Sequence, residues 1–119
     1  MCAHALRANS ALYIGGMGSR EKNFYNQLAV RMGFEEAATK VQELFLDGKY
    51  KEAAMAVPFE FIDQTSLLGS PARISDRLHA YESAGVTTLS ITPVAESLEQ
   101  RLQVVRLMGD LVDNTPDAA

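Results

Sequence analysis

Apolar residues recur at helical spacing through most of the first half of the chain. From Phe34 they stand at positions i, i+3, i+4 and i+7, the pattern of a helix with one buried face. Asp47 and Gly48 end that helix, and Pro58 ends a shorter one over residues 49–57. The same periodicity and breaker residues predict three further helices in this half: residues 3–14, 19–33 and 58–66.

Two short runs in the second half are typical of β-strands. Residues 66–69 are apolar and end at a glycine, and residues 86–92 are rich in β-branched side chains. Between them lies a predicted helix that Ser70 and Pro71 begin and Gly85 ends. Strand, helix, strand and helix form a βαβα unit, so we predict an α/β fold, predominantly helical, with two short parallel strands. Because two parallel strands do not make a stable sheet, we expect the chain to complete it with a further part or a second copy.

The last predicted helix, over residues 94–112, is amphipathic. The side chains expected to form its buried face are Leu98, Leu102, Val105 and Val112. The predicted organisation is a helical segment over residues 1–57, the βαβα unit over 58–114 and a flexible tail over 115–119.

Composition and charge restrict the class of protein. The chain has 119 residues, of which 47% are hydrophobic and 22% charged, and these values are typical of a soluble globular domain. A net charge of -4 and the lack of a basic stripe argue against nucleic acid or an anionic membrane as partner. Cys2 is the single cysteine, and the chain contains neither a long apolar run nor a signal pattern. We therefore predict a cytoplasmic protein.

The glycine-rich stretch GGMGS over residues 15–19 is the first candidate for chemistry. It lacks the third glycine of the dinucleotide fingerprint and the Gly-Lys-Ser/Thr end of a P-loop. If a helix begins at Ser19, its free N–H groups and Arg20 could hold an anion. The alternative is a hinge between two helices, in which the glycines supply positive φ angles and close packing.

The second candidate is LLGSPAR over residues 67–73, where a predicted strand ends and a helix begins. The helix N-terminus after Gly69 and Ser70 could bind an anion with the help of Arg73. Alternatively, Ser70 only caps the helix and Arg73 is a solvated charge.

Other polar and aromatic residues give weaker signals. Neither His4 nor His79 has a metal ligand at suitable spacing, and no nucleophile with its base can be nominated, so we predict no catalytic and no metal-binding residue. Asn23, Phe24 and Tyr25 could line a substrate pocket, but Phe24 also fits the core face of its helix.

Three blocks carry a resemblance to a known family: ALYIGGMGSREKNFYNQLAVRMGF, LFLDGKYKEAAMAVP and SLLGSPARISDRLHAYESAGVTTLSITP. Together, over about residues 11–93, they resemble the C-terminal part of the luciferase-like monooxygenases, nearest to the flavin- or coenzyme F420-dependent oxidoreductases. Family members are (β/α)₈ barrels, which need about 250 residues. The resemblance therefore implies a C-terminal barrel fragment with strands seven and eight at residues 66–69 and 86–92. The first six strands, where the family places most contacts to the cofactor ring, have no counterpart in this sequence.

The resemblance also implies a function. It is hydride transfer between F420 or FMN and a small organic substrate, with the cofactor supplying the chemistry. It places the 67–73 loop on the active-site face. The residues expected to bind cofactor or substrate are Gly69, Ser70, Arg73, Ser19 and Arg20. We expect the chain to be inactive without the N-terminal barrel half. The alternative is a non-enzymatic helical interaction module that homodimerises through exposed barrel edges.

Overall fold

A computed structural model describes residues 2–114, and these residues form seven helices. The helices are α1 (Cys2–Gly16), α2 (Phe24–Arg31), α3 (Glu35–Leu46), α4 (Tyr50–Ala56), α5 (Phe59–Thr65), α6 (Pro71–Ser83) and α7 (Leu98–Asp113). They divide into two compact units, a first unit over residues 2–66 and a second unit over residues 67–114. The tail predicted over residues 115–119 lies outside the described residues.

The first unit is built around α1, which packs against α2, α3, α4 and α5. Small and aliphatic side chains fill its interior, and Val57 and Ile62 are fully buried there. The rings of Phe34 and Phe61 meet edge to face, with centroids 5.5 Å apart, and so fix the start of α3 against α5. Arg7 on α1 donates to the carbonyl of Val57, the C-cap residue of α4. The helical prediction for this half is confirmed.

The second unit is a pair of helices around a small core. Ile74 and Leu78 of α6 and Met108 of α7 are its buried members. The partly buried side chains that pack on them are Leu67, Val104 and Leu111. Ser70 caps α6, as predicted, and Gly85 follows its C-cap in the left-handed region with φ +92°.

The predicted α/β class, with two short parallel strands, is wrong for this chain. No residue between 2 and 114 lies in a strand, and residues 86–95 have no regular secondary structure. Strand propensity is context-dependent, because a strand is stable only when a neighbour pairs its N–H and C=O groups. Residues 66–69 and 86–92 have a strand-like composition but do not pair.

The predicted buried face of the last helix is also wrong. Leu98, Leu102, Val105 and Val112 are all exposed, and Leu98 retains 72% of its accessible surface. The helix contacts α6 through Val104, Met108 and Leu111 instead. It begins at Leu98 rather than near residue 94, because Ser97 and Gln100 form a capping box there. α7 therefore has two apolar faces, and periodicity alone does not tell which of them has a partner.

Candidate functional site

The loop before α6 brings together the three residues predicted there. Ser70 Oγ accepts a hydrogen bond from the backbone N–H of Arg73 at 3.3 Å, and Pro71 stands at the first helical position. Arg73 Nη1 donates to the Leu68 carbonyl oxygen at 3.0 Å, so the guanidinium folds back over the loop. Gly69, Ser70 and Arg73 are exposed. The loop thus presents a cation, a hydroxyl and a helix N-terminus on one accessible surface.

Gly69 is required in this loop for two reasons. Its φ is +114°, a region that residues with a Cβ rarely adopt. A Cβ at this position would also lie 3.0 Å from Arg73 Cδ. The absence of a side chain therefore allows Arg73 to cross the loop.

Ser19 and Arg20 lie in the glycine-rich segment of the first unit, but no helix begins at Ser19. The prediction of a Ser19 N-cap is wrong, because α2 begins at Phe24 and Asn23 caps it by accepting from Asn26 N–H at 3.0 Å. Ser19 instead opens a turn, in which its carbonyl accepts from Lys22 N–H at 3.1 Å. The N–H groups of a helix N-terminus are therefore absent at Ser19, although both Ser19 and Arg20 are exposed.

The glycines of this segment have separate structural roles. Gly15 and Gly16, in the last turn of α1, lie against the ring of Phe45 on α3 so closely that a Cβ at either would overlap it. Gly18 has φ +146°, and a Cβ there would collide with the Lys22 carbonyl. This is the geometry expected for a hinge between two helices.

Three side-chain amides that were not predicted as structural hold this hinge. Asn23 is buried and donates from Nδ2 to the carbonyls of Tyr13 and Ile14, both at 3.0 Å. Asn26 donates to Ile14 at 3.2 Å, and buried Gln42 donates to the Arg20 carbonyl at 3.2 Å. The bonds from Asn23 and Asn26 supply carbonyls in the last turn of α1 with the partners that a helix end lacks. Asn23 had a sequence signal, since Asn is as good an N-cap as Ser.

Phe24 belongs neither to the core nor to a closed pocket. It is 60% exposed, so the prediction that it packs in the core is wrong. Its ring meets Tyr25 edge to face at 5.5 Å, and Tyr25 meets Tyr13 at 4.8 Å. The Arg31 guanidinium carbon lies 5.8 Å from the centre of the Phe24 ring. Phe24 and Tyr25 of α2 thus form an exposed aromatic pair, and Tyr25 packs against the half-buried Tyr13 of α1.

The remaining features of the described residues do not add a catalytic group. His79 is exposed on α6, and its Nδ1 lies 3.7 Å from Oε2 of Glu82. Within residues 2–114, no group of three or more His, Cys, Asp or Glu side chains is placed to hold a metal ion. An open depression of about 430 Å³ is lined by residues 48–52, away from both candidate loops in sequence. None of the helices described is long and apolar enough to cross a membrane.

Comparison with known proteins identifies the family. The model of the luciferase-like monooxygenases matches residues 3–88, which is most of the chain. The chain belongs to the luciferase-like monooxygenase family. Its match includes the glycine-rich hinge, the 67–73 loop and all of α6. The family predicted from the three sequence blocks is therefore confirmed.

One similar protein is from Mycobacterium tuberculosis and is named as a proposed coenzyme F420-dependent oxidoreductase. The two sequences are 38% identical over 90 residues, which are 76% of this chain and 25% of the relative. The chain thus matches about a quarter of the length of that curated relative. No solved structure matches the chain.

Proposed function

We propose that this chain forms the C-terminal part of a luciferase-like oxidoreductase that uses F420 or FMN. The observation that carries the proposal is the family match over residues 3–88, together with 38% identity to a protein named as F420-dependent. The reaction is hydride transfer between the cofactor and a small organic substrate. In this proposal the rest of a family protein acts as the partner of the chain.

The loop before α6 has the chemistry to hold the phosphate of such a cofactor. F420 and FMN both carry phosphate, and an anion is favoured at a helix N-terminus, where N–H groups and the dipole point outward. Arg73 adds a planar cation that can bind phosphate in a bidentate manner. Ser70 adds a hydroxyl, and Gly69 allows close approach to the backbone. These three residues therefore fit the anionic end of the cofactor.

The ring end of the cofactor requires different surroundings. A ring of this size is bound in a concave and largely apolar pocket, whereas residues 69–73 are all exposed. When bound, the cofactor supplies the hydride chemistry, and the residues of this chain orient it. We therefore assign contacts with the ring and the substrate to the remaining part of a family protein. For the first unit taken by itself, Ser19 and Arg20 are proposed as a weaker polar contact with an anion, because both residues are exposed beside the hinge.

Fluorescence titration with F420 and with FMN tests the proposal. The chain alone should bind either cofactor weakly, and addition of the remaining three quarters of the M. tuberculosis relative should increase the affinity. In the combined protein, Arg73→Ala should weaken binding about tenfold or more, as expected for loss of a charge-assisted contact. Addition of inorganic phosphate should compete with the cofactor in the original protein and much less in the variant.

Ser70→Ala has a matched control in this titration. Ser70 and Ser97 cap α6 and α7 in the same way, and each accepts from the N–H three residues later. Both Ala variants should destabilise a helix by about 1 kcal/mol, but only Ser70→Ala should weaken cofactor binding. Equal effects of the two Ala variants on cofactor binding would contradict the assignment of this loop to the cofactor phosphate. The same conclusion would follow if cofactor binding is tight and Arg73→Ala leaves it unchanged.

A further inference from the structure

We propose that α7 pairs in antiparallel orientation with α7 of a second copy of this chain. The surface that would form the pair is the α7 stripe, which we define as Leu98, Leu102, Val105, Gly109 and Val112. The large side chains of this stripe are exposed, and the inference does not depend on the proposed cofactor.

The spacing of the α7 stripe is that of a helix that pairs with another helix. Its residues are separated alternately by four and three positions, which is the heptad spacing of coiled-coil seams. At 100° per residue, the stripe is turned by roughly 110° from the face of Val104, Met108 and Leu111 that packs on α6. A second helix can therefore contact α7 while α6 stays in place.

The shapes of the residues favour an antiparallel pair. When Leu102 faces the partner's Val105, the same register places Leu98 opposite the partner's Gly109. Leu98 is 72% exposed, and the space beside Gly109 contains no heavy atom within 4 Å of where a Cβ would stand. The large side chain of Leu98 thus lies against the partner's Gly109, which has no side chain. The two-fold symmetry of the pair makes this contact occur twice.

Charges beside the stripe select this register. Glu99 and Arg106 flank the stripe on the side away from α6, and the register places Glu99 beside the partner's Arg106 twice. An antiparallel pair shifted by one heptad would instead place Glu99 beside the partner's Asp113 and bring the two Arg106 side chains together. A parallel pair would place Arg101 beside the partner's Arg106. Of these three arrangements, only the first brings opposite charges together, and this charge complementarity identifies a second copy as the occupant.

Charge reversal and sedimentation equilibrium on the full chain test the proposal. The original protein should show a concentration-dependent monomer–dimer equilibrium. Glu99→Arg and Arg106→Glu should each raise the dissociation constant about tenfold, because each turns two attractive pairs into two repulsive ones. The double variant E99R/R106E should return the dissociation constant to near its original value. Glu99 and Arg106 are about 10.5 Å apart along one helix, so only a contact between two copies can restore the affinity.

Net charge provides an internal control. Starting from -4, Glu99→Arg gives -2 and Arg106→Glu gives -6, so a general charge effect would move the two constants in opposite directions. Asp76→Arg makes the same change as Glu99→Arg at an exposed position of α6, and it should leave the dimer unchanged. Far-UV circular dichroism should show equal helix content in all variants.

Several results would overturn the inference. Self-pairing is excluded if the chain stays monomeric at all concentrations. It is also excluded if the chain associates only after another protein is added. If neither Glu99→Arg nor Arg106→Glu weakens the dimer, the dimer forms through a surface other than the α7 stripe. Failure of the double variant to restore association would show that Glu99 and Arg106 do not meet.

Discussion

The first and second units are both helical, yet they bury very different shares of their apolar side chains. Each exposes nine large hydrophobic residues among those described. Of the residues that the structure describes, the first unit also buries nine hydrophobic ones, whereas the second buries three: Ile74, Leu78 and Met108. Burial of apolar surface is the main stabilising contribution in a small domain. The first unit therefore has a core of its own, whereas the second leaves most of its large apolar side chains exposed.

Polar groups distinguish the two units as well. In the first unit, Asn23, Asn26 and Gln42 donate to carbonyls of distant residues and connect α1, α2 and α3. In the second unit, the Ser70, Arg73 and Ser97 hydrogen bonds join residues within six positions of one another. Bonds of the first kind hold helices to one another, whereas those of the second kind stabilise single helix ends.

The largest expected contrast comes from core truncation. Ile62→Ala in the first unit should reduce the free energy of unfolding by about 4 kcal/mol, because the cavity is enclosed on all sides. Met108→Ala should cost about 2 kcal/mol, because the small core around it can collapse more readily. Urea denaturation, followed by circular dichroism, measures both. An equal or greater loss of unfolding free energy for Met108→Ala would contradict this difference between the two cores.

The polar network should give the next largest effect. Asn23→Ala removes an N-cap and leaves the Tyr13 and Ile14 carbonyls with fewer donors in the interior, at a cost of about 3 kcal/mol. Asn23→Ser retains a capping oxygen and should recover about 1 kcal/mol of that loss. Thermal unfolding measures the series. If Asn23→Ala lowers the free energy of unfolding by no more than the loss of an ordinary N-cap, about 1 kcal/mol, the amide donors do not hold the hinge.

The smallest predicted effects come from two glycine substitutions, which change the free energy of unfolding in opposite directions in the two units. Gly15→Ala should destabilise the first unit by about 2 kcal/mol, because its Cβ would stand 2.5 Å from Phe45 Cβ. Gly109→Ala should stabilise α7 by about 0.8 kcal/mol, because nothing lies near the new methyl group and Ala is the better helix former. Urea denaturation at low protein concentration measures both. The same sign for both changes would show that the two glycines do not differ in packing.

Much of the helical pattern was predictable from the sequence, because local signals specify it. Phe34 and Gly48 bracket α3, and Ser70, Pro71 and Gly85 bracket α6. The start of α2 was missed because Ser19 and Asn23 are both good N-caps, and the long-range bonds of Asn23 select between them. Those bonds join residues that are distant in sequence, so local patterns do not reveal them.

The strands and the contact face of α7 were wrongly predicted for a common reason. Residues 86–92 have a strand-like composition, but propensity does not supply a partner for their N–H and C=O groups. Leu98 and Leu102 have the spacing of a buried face, but α6 packs on Met108 instead. The family was recognised from three sequence blocks, and the family model matches residues 3–88. Gly69, Ser70 and Arg73 lie in one loop, and their binding role remains a prediction.

Native-state hydrogen exchange tests most directly whether the second unit depends on a partner. At a protein concentration low enough to keep the chain monomeric, amides of α1 and α3 should exchange most slowly. Those of α6 and α7 should exchange at least about tenfold faster, and those of residues 87–95 should exchange almost without protection. Equal protection of α7 and α3 under these conditions would contradict the account, because it would show that the second unit is stable by itself.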